Sequence, residues 1–238
     1  MFVDFYRDLI FYLEILAAIV ATITFKKYKH TPCRYFLFLL WLTVFVETLG
    51  LLRFYNYYYP EHPVMMFFRN ILGESRVASN FWIYNIFIPV SYLTYFVFFY
   101  AFLKQIYKKW VLAILILYVL VVAFSVLYRI NSFNEGYLSE IDIAGALFYL
   151  VCYCLYFYEL LHSNEVLKLY KSLPFWILTG ALIFNLTTIP IFVFSEQLNY
   201  SNHYRVVLNI SNIVLYGCFI TGFIINARNL KNLKITNL

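Results

Sequence analysis

Seven long apolar runs separated by short polar stretches organise the 238-residue chain. They cover residues 9–25, 35–55, 80–103, 110–128, 141–161, 174–195 and 205–227. Each is close to the ~20 residues that a helix needs to cross a bilayer. The apolar positions are continuous rather than alternating, and backbone in lipid must satisfy its hydrogen bonds internally, so the runs predict helices and not strands. The predicted fold class is all-α: an integral membrane bundle of seven transmembrane helices, in one domain over residues 1–238. The longest connection, 56–79, holds the stretch HPVMMFFRNIL, which is apolar but too short to span. Residues 62–72 therefore predict a segment lying along the membrane interface, next to an aromatic belt formed by YNYYYP at 55–60.

Composition strengthens this picture. Hydrophobic residues make up 63% of the chain and charged ones 13%, with a mean hydropathy of +0.74. A water-soluble fold carries about 25% charged residues and cannot hide so much apolar surface. The net charge of +6 does not imply nucleic acid, because the basic residues sit in short loops beside apolar runs.

Those loops set an orientation. Lys26, Lys27, Lys29, Arg34, Lys104, Lys108, Lys109, Lys168, Lys171, Arg228, Lys231 and Lys234 fall on one side; Arg7, Arg53, Arg69, Arg76, Arg129 and Arg205 fall on the other. Most acids, including Asp4, Asp8, Glu61, Glu74, Glu135, Glu140, Asp142 and Glu196, lie with the smaller basic set. The positive-inside rule then predicts an N-terminus outside and a cytoplasmic C-terminus. The first run is preceded by Asp4, Arg7 and Asp8 and followed by its lysines, which is not the layout of a cleaved signal peptide. An outer-loop sequon stands at Asn199-Tyr200-Ser201; the matches at Asn185 and Asn209 fall within spans.

Two carboxylates lie well inside spans, Glu14 and Glu47. An ionisable group at membrane depth costs at least ~2.5–3.5 kcal/mol to insert and marks a functional site by default. With 1.5 Å of rise per residue, Glu14 lies ~8 Å and Glu47 ~12 Å below the outer ends of their helices, so the two carboxyls are expected in one pocket. Other polar groups fall at similar depth: Asn85 and Ser91 around Pro89 in the third span, Asn185, Thr187 and Thr188 before Pro190 in the sixth, and Asn209, Ser211, Asn212 and Tyr216 in the seventh. Asn209, Asn212 and Tyr216 recur at i, i+3, i+7 and share one helix face. The expected ligand-binding set is Glu14, Glu47, Asn85, Asn185, Thr188, Asn209, Asn212 and Tyr216, lining an outward-facing pocket. The alternative use of such amides and hydroxyls is interhelical hydrogen bonding, and Gly217 with Thr221 suits a close helix contact.

Several chemistries are argued against. Cys33, Cys152, Cys154 and Cys218 form no CxxC pair and are expected to be packing residues. His30, His62, His162 and His203 lie in loops or at helix ends, too scattered for the zinc or diiron sites of membrane enzymes. No Gly-x-Ser-x-Gly or Gly-x-Gly-Asp motif occurs. We expect no enzyme activity, no cofactor and no metal. The seven-span plan is similar to that of the rhodopsins and the G-protein-coupled receptors in architecture alone: no lysine lies in 205–227 to hold retinal, NIVLY at 212–216 lacks the receptor proline, and no DRY-like triplet ends the third span.

The sequence leaves two functional readings. One is a sensor, receptor-like or accessory module that takes a small-molecule or lipid ligand in the outer pocket and signals to a cytoplasmic or membrane effector protein in trans. The alternative is a small proton- or cation-coupled transporter. Richness in Phe, Tyr, Ile, Asn and Lys with short loops points to a bacterial inner membrane.

Overall fold

The computed structural model describes residues 2–163, 169–193 and 202–235. The sequon at 199–201, Lys168 and Glu196 lie outside these residues, as do the side chains of Asp4, Arg7, Arg205, Lys231 and Lys234. Among the described residues nine α-helices follow one another: α1 (Phe2–Thr24), α2 (Arg34–Tyr58), α3 (Pro63–Leu72), α4 (Glu74–Ala78), α5 (Phe81–Phe102), α6 (Gln105–Tyr128), α7 (Ser139–Leu161), α8 (Leu173–Val193) and α9 (Asn202–Ile235). No strand occurs among the described residues. Seven helices, all but α3 and α4, are long and apolar enough to cross a membrane, so this is a multi-pass membrane protein.

Six of these helices close into a ring in the order α1, α2, α5, α7, α8, α9 and back to α1. The seventh, α6, packs outside the ring against α5 and α7. Its sequence explains why: only Val111, Tyr118 and Ser125 are buried, one residue every two turns, so a single narrow seam faces the protein. Residues flanking that seam, such as Ile114, Leu115 and Val122, are partly buried, and much of the rest of α6, including Leu117, Leu120, Phe124 and Leu127, is exposed. Such a surface suits a lipid environment.

Glycine sets the closest helix contacts. A Cβ at Gly180 would lie 2.7 Å from Cys218 Cβ, and one at Gly222 would lie 2.8 Å from Trp176 Cβ, so α8 and α9 interlock by a gap on each helix. The close contact expected at Gly217 is not there: nothing lies within 4 Å of its Cβ position, because that face of α9 turns away from α8. Both in-helix prolines are absorbed without a break, Pro89 within α5 and Pro190 within α8.

The expected interfacial segment is α3. Pro63 opens it, and the His62 ring accepts a hydrogen bond from the Val64 N–H at 3.3 Å. Met65 is buried while Val64, Met66, Phe67 and Ile71 are exposed. The Arg69 guanidinium holds α3 to α2 by donating to Asn56 Oδ1 at 2.6 and 3.1 Å. Gly73, at φ 85°, turns the chain from α3 into α4 in a conformation that favours glycine.

The core is largely aromatic. Toward the end of the bundle that carries Lys26, Lys104 and Lys171, Phe36, Phe98, Phe99, Tyr149 and Phe223 are fully buried. Phe36 lies 5.1 Å from Tyr95, 5.1 Å from Phe98 and 5.8 Å from Phe219, ring centre to ring centre. At that same end Arg34, Lys108 and Lys171 place their charges over Tyr35, Tyr100 and Tyr170, as long basic side chains do at a membrane boundary.

Candidate functional site

The ring encloses a cavity of about 1300 Å³. Its lining begins at Asp8, Arg53, Asn80 and Arg129, at the α3 end of the bundle, and stops past mid-depth at Leu39, Tyr95, Ala181 and Phe219. Phe36, Phe98, Phe99 and Tyr149 lie beyond and take no part in the lining. The cavity is thus a pit that enters from one end and is stopped by packed rings. α6 meets it only through Arg129, the residue that follows it.

Two carboxyl clusters sit on its wall. In the first, Tyr84 from α5 reaches the Glu47 carboxyl of α2, with its hydroxyl 3.1 and 3.0 Å from the two oxygens. One phenolic proton serves both oxygens. Glu14 of α1 faces Glu47 electrostatically and meets the Tyr216 hydroxyl of α9. Its Oε2 is buried and has no hydrogen-bond partner among the described residues.

The second cluster was not legible as a site. Asp142 sits in the first turn of α7, a place where sequence alone allows it to reach water. Here the Tyr137 hydroxyl donates to Asp142 Oδ2 at 2.7 Å, and Tyr92 lies 2.8 Å from Asp142 Oδ1. Burial first, and then the neighbouring Asp142, pushes the Tyr137 hydroxyl well above its ordinary pKa and keeps it a donor. Tyr92 also lies 2.8 Å from Asn185 Oδ1 of α8. The Asn185 Nδ2 donates to the Ala181 carbonyl at 2.8 Å, so its Oδ1 can only accept. With a single hydroxyl proton, Tyr92 satisfies both oxygens only when Asp142 supplies a second one. Gly145 makes room for this: a Cβ there would run into the Tyr92 ring.

Of the eight residues expected to bind ligand, Glu14, Glu47, Asn185, Asn209, Asn212 and Tyr216 all line the cavity. Asn85 does not. It turns away and donates to the carbonyls of Phe133 and Gly136 at 2.9 and 2.8 Å, while its Oδ1 accepts from the Leu138 N–H at 3.0 Å. Every one of these bonds ties α5 to the connection that carries Tyr137, so Asn85 positions that tyrosine. Thr188 is also off the wall; it is buried, with its hydroxyl 3.4 Å from the Asn185 carbonyl. Thr187 instead joins α8 to α9, with its hydroxyl 2.7 Å from that of Ser211.

Among the described residues no group of three or more His, Cys, Asp or Glu side chains is placed to hold a metal ion. The cysteines are free; Cys33 and Cys152 are buried. A comparison with protein-family models, with curated proteins and with solved structures gives no match.

Proposed function

We propose that this protein is a membrane sensor or receptor-like module, with its N-terminus outside and its C-terminus in the cytoplasm of a bacterial inner membrane. A ligand enters the cavity from the outer side, and the helices relay its presence to an effector protein at the cytoplasmic face. The observation that carries the reading is the blind depth of the cavity. It is lined by polar and charged residues toward the α3 end, and toward the lysine end Phe36, Phe98 and Phe99 fill the space. A site of this form suits binding better than passage. A small proton- or cation-coupled transporter, the alternative, needs a route past those rings. The lysine-rich connections supply a basic docking face, and output passes to a partner in trans. The reading carries no catalysis.

Crosslinking in the native membrane tests it. Recovery of a stoichiometric partner joined through the lysine end supports the reading and names the output. Recovery of the chain alone, together with uphill solute flux into proteoliposomes, overturns it in favour of the transporter.

A further inference from the structure

Among the described residues Glu14 has no cation paired with it. It is 4% exposed, it lines the cavity, and its Oε2 lacks a hydrogen-bond partner among the described residues. The groups that face it from the neighbouring helices are the Tyr216 hydroxyl and a second acid, Glu47. Among the described residues, the basic side chains on the cavity wall are Arg53 and Arg129. Arg53 follows Glu47 by six residues on α2, ~9 Å along the axis and nearer the mouth. Arg129 lies 3.7 Å from Glu140 at the rim. The fold thus brings two carboxyls together at membrane depth, with no counter-charge beside them among the described residues. A buried carboxylate oxygen without a donor is costly, and a ligand that supplies the donor recovers that cost.

The walls around the pair are aromatic: Tyr84, Phe87, Tyr95, Tyr216 and Phe219. Ring faces attract cations. The missing partner of Oε2 must also carry a proton to donate, and a quaternary ammonium has none. Resting on the reading of this cavity as a ligand site, we infer that it takes a protonated primary or secondary organic amine. The ammonium donates to Glu14 Oε2 and lies between Glu14 and Glu47, with its apolar body against the rings of Phe87, Tyr95 and Phe219.

Calorimetry on the full chain in lipid nanodiscs tests this, with phenethylamine as probe and with choline and phenylacetate as its quaternary and anionic counterparts. Phenethylamine is expected to bind, and the other two to bind at least about tenfold more weakly. Glu14→Gln is expected to weaken phenethylamine at least about tenfold, whereas Glu61→Gln, outside the cavity, leaves it unchanged. Should Glu14→Gln not fold, the unaltered chain is treated with a hydrophobic carbodiimide, and phenethylamine is expected to protect Glu14 from modification. Equal binding of choline or phenylacetate, unchanged binding to Glu14→Gln, protection by sodium alone, or no binding of phenethylamine each overturns the amine assignment. None of these touches partner recovery, on which the sensor reading stands or falls separately.

Discussion

The two halves of the bundle are built from the same residue types and use them in opposite ways. Toward the α3 end, Tyr84, Tyr92 and Tyr137 spend their hydroxyls on the carboxyls of Glu47 and Asp142. Toward the lysine end, Tyr149 and Tyr28 spend theirs on the backbone carbonyls of Leu178 and Ala21, at 2.6 and 2.8 Å. A hydroxyl that closes on a backbone carbonyl leaves a ring free to pack. A hydroxyl that closes on a carboxyl leaves charge and space to be shared. The first arrangement makes a plug and the second a cavity, from a chain with 24 tyrosines and 26 phenylalanines.

The largest effect that sharpens this contrast is expected in the plug. Phe36→Ala removes a ring shared by α2, α5 and α9, and should cost about 3–5 kcal/mol in reversible unfolding in mixed micelles. A cost below about 1 kcal/mol would mean the plug is loosely packed. Next comes Gly145→Ala, whose Cβ meets the Tyr92 ring and should destabilise by about 1–3 kcal/mol. Gly217→Ala, with nothing near its Cβ position, should stay within about 0.5 kcal/mol in the same assay. Tyr92→Phe unties α5 from both α7 and α8 and should cost about 1–2 kcal/mol, with no ring volume lost. If Tyr149→Phe cost nothing while Tyr92→Phe cost this much, hydroxyls would matter only on the cavity side.

The smallest effect is on reactivity rather than stability. Burial pushes the Cys33 thiol up to about 12, against the weaker pull of hydrogen bonds from Thr31 and its own backbone. Below that pH it stays a thiol, and aqueous maleimide at pH 8 should leave it unlabelled until the chain unfolds. Asn212→Cys, on the cavity wall, should label readily in the folded protein. Labelling of both, or of neither, removes the distinction between an open half and a closed one.

Much of this was legible in the sequence because lipid imposes so few solutions. Continuous apolar runs must become helices, and those runs match the seven spanning helices to within a few residues at most ends. The spacing of Asn209, Asn212 and Tyr216 places all three on one wall. The ring order was not legible, since nothing in a uniformly apolar run such as α6 reveals which face meets protein. Asn85 and Thr188 were misplaced for a related reason: depth along a helix was readable, but rotation about it was not. Asp142 was missed because a carboxylate near a helix end has water as its default partner. The tyrosines that reach Asp142 and Glu47 were hidden among many others.

One feature of α9 has a mechanical meaning. The helix runs 34 residues without interruption, from the wall of the cavity to the lysine end. Gly222 seats it against Trp176 of α8. Asn209 on the cavity wall lies 13 residues before that seat and Ile235 lies 13 residues after it, so each arm is ~20 Å long. Thr187 against Ser211 and Gly180 against Cys218 hold α9 to α8 along the way, so the two helices form one stiff strut that joins the cavity wall to the lysine end.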